Sequence, residues 1–283
     1  MTVKVEVGAG GIPHNRILIY GLVGSLVFIY LTLLNEVTQT QYFSFFGGLA
    51  AVAALLWGTD TIKYLCSYGL GTGVPSAGMI ALGSGVIAAL FGATTGIFAP
   101  IVTIIIAAII GAVAGIMANH VVRMDIPVMV TSLIELAVVG AMTVLGLAAM
   151  ACGTFGFLGM ITGEIAILGF TVQTYEYSLI GGSIIAVIFM LGAIAIQHSF
   201  NACLGPGEKQ DRTLMLAAEC GFLSMIPIAV ISFAFIEFLP ALVSLVVSVI
   251  GWIYTYTQYI ALAKRDAYAW LDAKPILEPK GGA

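Results

Sequence analysis

The chain has 283 residues, of which 60% are hydrophobic and only 8% charged, and its mean hydropathy is +1.10. A soluble domain carries roughly 25% charged residues to cover its surface, so this composition excludes an ordinary soluble globule and makes lipid the natural solvent for most of the chain. Ten Lys and Arg against fourteen Asp and Glu give a net charge of −4; the basic residues stand singly or in pairs, without the cluster that a nucleic-acid surface needs.

Residues 1–16 form a short polar segment with no small-residue cleavage site, so the apolar stretch that follows is expected to be a retained span and not a signal peptide. A bilayer core of roughly 30 Å takes about 20 helical residues. On that ruler the chain offers eight spans, at 17–34, 43–58, 77–98, 101–118, 128–151, 179–197, 213–236 and 239–262. The expected fold is therefore all-α, a polytopic membrane bundle over 17–262, with a polar N-terminal segment at 1–16 and a tail at 263–283. The third and fourth spans form one apolar stretch, divided between Ala99 and Pro100 because proline cannot donate inside a helix and suits a helix start. The segment 153–172 is long and apolar enough to cross, but reads better as a re-entrant piece. The competing reading, with seven spans possible, makes it a true span and demotes 43–58, the shortest.

The charges test the parity of this count. With the N-terminus inside, the inner segments hold Lys4, Arg16, Lys63, Arg123, Lys209, Arg212, Lys264, Arg265, Lys274 and Lys280, which is every basic residue. The outer segments hold only Glu36, Glu164, Glu176 and Glu237. Positive residues accumulate on the cytoplasmic side of membrane proteins, so both termini are expected to be cytoplasmic. Asp60 falls in an inner connection on this count.

Two acids fit neither surface. Glu135 and Glu219 lie inside the fifth and seventh spans, each roughly 10 to 12 Å deep at 1.5 Å per residue. A charged group at mid-membrane costs about 2.5 to 3.5 kcal/mol on insertion scales, and such residues mark ion or proton paths. Thr131 and Ser132 stand one turn before Glu135, so one helical face is expected to carry two hydroxyls and a carboxylate. Beside Glu219, Pro227 frees the Leu223 carbonyl. Glu164 is a third candidate if its segment re-enters. The spans contain no Lys, Arg or His, so a cation, a proton or another subunit is expected to neutralise these acids. The alternative is a protonated carboxyl that only joins helices.

Other features carry less chemistry. Cys66, Cys152, Cys203 and Cys220 lack ligand spacing and read as reduced, small hydrophobes. The glycine-rich run 68–76 lacks the lysine of a phosphate loop and reads as a turn. Gly92 with Gly96, Gly111 with Gly115, and Gly159 with Gly163 have small-xxx-small spacing and predict tight helix contacts. The polar stretch 198–212 contains His198, Asn201, Asp211 and Arg212, candidates for docking a partner; His198 and Cys203 lack the third group that a nucleophile and base would need.

The stretches HSFNACLGPGEKQDRTLMLAAECGFLSMIP, GVPSAGMIALGSGVIAALFG and RMDIPVMVTSLIEL resemble the C subunit of the tetrahydromethanopterin S-methyltransferase of methanogens, over nearly the whole chain. The resemblance implies an archaeal membrane subunit of a complex that passes a methyl group from methyl-tetrahydromethanopterin to coenzyme M. It further implies a corrinoid on a partner subunit, coupling to sodium export, the related D and E membrane subunits, contact with membrane lipids, and no cofactor or catalytic centre in this chain. It carries over no sodium ligand, so Glu135 and Glu219 rest on the residues alone. A stand-alone cation-coupled secondary transporter and a purely structural subunit remain the alternatives.

Overall fold

When a chain this apolar leaves water, every backbone N–H and C=O must be paired within the chain, and a helix does so locally. The computed structural model describes residues 11–66, 83–85, 87–89, 91–121, 123, 125–155, 165–167, 170–172 and 209–273. The helices are α1 (His14–Leu31), α2 (Leu34–Thr38), α3 (Phe45–Cys66), α4 (Ala99–Ile116), α5 (Met129–Cys152), α6 (Gln210–Ser232) and α7 (Phe238–Ala273). Short tighter or wider turns flank them at Tyr42–Ser44, Ala93–Phe98 and Met117–Val121. Within the expected re-entrant segment, Ile165–Ile167 and Phe170–Val172 pair as a small antiparallel hairpin, with Ile165 opposite Val172.

Six continuous helical stretches are long and apolar enough to cross a bilayer: His14–Thr38, Tyr42–Leu65, Thr95–Val121, Met129–Cys152, Gln210–Ser232 and Phe238–Ala269. They match six of the eight expected spans. Of the other two, 179–197 lies outside the described residues and 77–98 does so in part. The reading that demotes 43–58 does not hold, because α3 is a full 22-residue helix long and apolar enough to cross; within 153–172 the described residues are bend and paired strand. Gly153, in the left-handed conformation at φ 80°, ends α5. The cut before Pro100 also holds: Gly96 takes φ 60° and ψ −127°, breaking the helical path, and α4 starts with proline in its first turn.

The core is centred on α5, where every residue from Leu136 to Ala151 is buried. Helices α3 and α4 pack along it, α6 touches it and lies between α3 and α7, and α1 lies on α3. Glycines set the closest approaches. A Cβ on Gly146 would sit 2.5 Å from the Gly47 carbonyl oxygen, and one on Gly47 would sit 2.7 Å from the Met150 nitrogen, so α3 and α5 cross backbone on backbone. Gly111 and Gly115 do the same for α4 against α5, where added Cβ atoms would lie 2.5 Å from the Leu133 carbonyl and 2.6 Å from Val130 Cα. That seam is the one the small-xxx-small spacing predicts. Of the pair Gly92 and Gly96 only the first makes a close approach, where an added Cβ would lie 2.9 Å from the Thr103 nitrogen; Gly96 is a backbone break with open space around it. The pair at 159 and 163 lies outside the described residues.

The outer faces are apolar too. On α4, Ile101, Ile105, Ile109 and Val113 form an exposed stripe at four-residue spacing, and Leu242, Val246, Ile250 and Ile253 form one at three- to four-residue spacing on α7. The two ends of the bundle differ in charge. One end gathers Arg16, Lys63, Lys209, Arg212, Lys264 and Arg265; there Lys209 pairs with Asp266 at 3.1 Å and Arg265 with Asp211 at 3.0 Å. The opposite end carries Glu36 and Glu237 and is joined by Asn35. Its side-chain amide donates to the Gly153 carbonyl at 2.7 Å and accepts from the Phe43 N–H at 2.8 Å. Helix α7 runs on past Leu262 to Ala273, so its last turns extend the basic end.

Candidate functional site

The sequence W57GTDTIKY64 places Trp57, Asp60, Thr61 and Tyr64 at helical positions i, i+3, i+4 and i+7, which is one face of α3. Because α5 crosses α3 antiparallel at the Gly47–Gly146 contact, Glu135, early in α5, meets that face. Its Oε2 accepts from the Thr61 hydroxyl at 2.7 Å and the Trp57 indole N–H at 3.0 Å. From α1, His14 enters between two acids. Its Nδ1 lies 2.8 Å from Asp60 Oδ2, and its Nε2 lies 3.1 Å from Glu135 Oε2. The ring stacks on Tyr64 at 4.6 Å between centroids. Asp60 Oδ1 in turn accepts from the Gln210 side chain at the start of α6, at 3.0 Å.

An ionised carboxylate only accepts hydrogen bonds, so with both acids ionised both ring nitrogens must donate and His14 carries a positive charge. With a neutral ring, one acid must hold the proton. Either way the trio keeps one net negative charge, enclosed by α1, α3, α5 and α6. Asp60 is 5% exposed. Burying such a charge without partners would be prohibitive; the four protein donors around the two acids make it tolerable. The expectation that the chain supplies no basic side chain is therefore corrected. His14, at the first position of α1, reaches the acids because α1 begins at the level where α3 ends. Asp60 is likewise corrected from a connection residue to a buried one.

Glu219 forms a second, separate arrangement. It lies nine residues into α6, 8% exposed, and its Oε1 accepts from the Trp252 indole of α7 at 2.9 Å. The Cys220 thiol approaches Oε2 at 3.5 Å, a long contact. Each of the two span acids thus has a tryptophan N–H from a neighbouring helix. That pairing was visible in neither local sequence, since the partners are 78 and 33 residues away.

The other candidates are placed unequally. Thr131 turns outward and donates to the Val128 carbonyl at 3.0 Å, so it does not join Glu135. Ser132 is fully buried, and its hydroxyl has no hydrogen-bond partner among the described residues. Asp211 is tied to Arg265 and to its own helix start, and Arg212 lies in the same first turn of α6. Glu164, His198 and Asn201 lie outside the described residues. Among the described residues no group of three or more His, Cys, Asp and Glu side chains converges on a metal position; the His14 nitrogens face the acids themselves.

A bundle of helices with apolar outer faces, oppositely charged ends and enclosed carboxylates is the architecture of a multi-pass membrane protein. Residues 4–277 match the family model for the C subunit of tetrahydromethanopterin S-methyltransferase. The protein of that name from Methanosarcina barkeri is 44% identical over 92% of this chain and 91% of its own. The one from Methanosarcina mazei is 43% identical over 93% of each, and the one from Methanosarcina acetivorans 42% over 92% and 91%. The chain belongs to this family of tetrahydromethanopterin S-methyltransferase C subunits, as its sequence resemblance implied.

Proposed function

We propose that this chain is an integral membrane subunit of an archaeal complex that transfers a methyl group from methyl-tetrahydromethanopterin to coenzyme M in methanogenesis. In this reading both termini face the cytoplasm, the related D and E subunits complete the membrane sector, and the methyl chemistry runs through a corrinoid on a partner subunit. This chain contributes scaffold and part of a sodium path at Glu135 and Glu219. Family membership supports the assignment to the complex. The observation that carries the cation path is the pair of enclosed carboxylates, each held by a tryptophan N–H at a depth where an acid without a task is costly. The gathering of the described basic residues at one end supports cytoplasmic termini.

Purification in mild detergent tests the first part: the chain is expected to emerge with a corrinoid protein, and a lone chain that moves solute in liposomes refutes the assignment in favour of a stand-alone transporter. Carbodiimide labelling tests the second part. Sodium is expected to slow modification of Glu135 or Glu219 in the intact complex, and labelling indifferent to sodium returns both acids to a joining role.

A further inference from the structure

The segment entering α1 is attached to the bundle by an unusual set of contacts. The Gln210 side-chain amide pairs with both backbone groups of Ile12, accepting its N–H at 2.5 Å and donating to its carbonyl at 2.9 Å, while also donating to Asp60. Gly11 lies against the same side chain. Pro13 is extended, at φ −58° and ψ 138°, and His14 then drops between Asp60 and Glu135. Burial is graded: the side chains of His14, Glu135 and Asp60 are 16%, 12% and 6% exposed, so the imidazole is the outermost of the three. Residues 11–13 outside it are exposed.

Both acids have holders that do not depend on His14. Thr61 and Trp57 fix Glu135, and Gln210 reaches Asp60. Removing the ring therefore leaves two positioned carboxylates facing the place it occupied. One turn before Glu135 on α5, the buried Ser132 hydroxyl also has no hydrogen-bond partner among the described residues.

We propose that residues 11–14 form a strap closing the basic-end access to Glu135, and that His14 and a small inorganic cation are alternative occupants of the place between Asp60 and Glu135. This rests on the reading of Glu135 as part of a cation path and adds its control: the cation reaches the acids only when the strap lifts. Besides the contacts of His14 itself with the two acids and Tyr64, the described strap is held by one side chain, Gln210, on Ile12, so lifting it means exchanging the His14 bonds for bonds to the cation.

The test is carbodiimide modification of Glu135 in the purified complex, over a range of sodium concentrations, in the native protein, His14→Ala and Gln210→Ala. Losing charged hydrogen bonds predicts that His14→Ala labels at least about tenfold faster without sodium and is half-protected at about a tenth of the native sodium concentration. Gln210→Ala is expected to shift both quantities in the same direction. Native rates and midpoints in both variants overturn the strap, while sodium protection of the native complex still upholds the cation path. Faster labelling in His14→Ala with sodium protecting no variant overturns the alternative-occupant claim. A second design covers failure of these variants to assemble. A Cβ on Gly11 would lie 3.3 Å from the Gln210 Cβ, near the roughly 3.8 Å of a disulfide. Oxidising a Gly11→Cys, Gln210→Cys pair is expected to slow labelling and reduction to restore it; no difference between the two states overturns the strap.

Discussion

Trp57→Phe examines whether the indole holds Glu135 or merely fills space. The side chain is 2% exposed and offers one donor, 3.0 Å from Glu135 Oε2. Phenylalanine keeps most of the ring contact but removes about 40 Å³, which at roughly 24 cal/mol per Å³ costs about 1 kcal/mol. The lost bond adds to that. Interhelical hydrogen bonds in membrane bundles average about 0.6 and reach about 1.7 kcal/mol, while bonds to ionised groups generally contribute about 1.5 to 3 kcal/mol. A carboxylate enclosed as Glu135 is belongs at the top of the first range, giving a total loss of about 2.5 kcal/mol. A double-mutant cycle with Glu135→Gln separates the two contributions, because the cavity is common to both backgrounds. The assay is equilibrium unfolding in mixed micelles followed by circular dichroism. A coupling of about 1 kcal/mol is expected; a coupling below about 0.3 kcal/mol refutes the claim that the indole N–H is what positions the acid.

Further perturbations address the rest of the bundle. Gly146→Val forces a side chain onto the Gly47 carbonyl and is expected to cost at least about 1 to 3 kcal/mol, read as loss of assembled complex on a sizing column. Gly24→Ala, whose added Cβ would meet Ala53 at an ordinary 3.6 Å, is expected to be neutral or to stabilise by up to about 1 kcal/mol, checked by the midpoint of thermal unfolding. Asn35→Ala leaves the Gly153 carbonyl and the Phe43 N–H without their partner, at about 1 to 3 kcal/mol for each buried group, and a clear fall in the same midpoint checks it. Arg265→Ala breaks exposed ion pairs with Asp211 and Asp266; it is expected to change stability by less than about 1 kcal/mol, with the difference vanishing in high salt.

Much of the architecture was legible because the bilayer imposes a length and a charge rule on the sequence. Pro100 marked the start of α4, and the Gly111–Gly115 spacing marked a real seam. The functional cluster was legible only in part. Glu135 and Glu219 stood out as charges inside apolar runs, but hydropathy stops a span at its first polar residues. It therefore ended the second span at Gly58, ahead of Thr59, Asp60 and Thr61. The helix continues to Cys66 because those side chains are satisfied from elsewhere in the chain: Asp60 by His14 and Gln210, Thr61 by Glu135. No local pattern announces partners 46, 150 and 74 residues away. Extending α3 by its own periodicity would have put Trp57, Asp60, Thr61 and Tyr64 on one face and flagged the site. Thr131 failed for the opposite reason: four-residue spacing puts it on the same broad face as Glu135, but it sits at the exposed edge of that face and donates to the Val128 carbonyl of its own helix start.

The order in which these partners leave the ribosome differs between the two acids. His14, then Trp57, Asp60 and Thr61, are all made before Glu135, so each carboxylate of that cluster enters the bilayer with a donor already waiting. Glu219 is made before Trp252, its indole donor. A nascent chain that has inserted α6 but not α7 therefore holds an acid whose tryptophan has not yet been synthesised. Arrest of synthesis between Ser232 and Phe238 leaves the half-built bundle with that acid lacking its indole partner, and addition of the last helix is what relieves it.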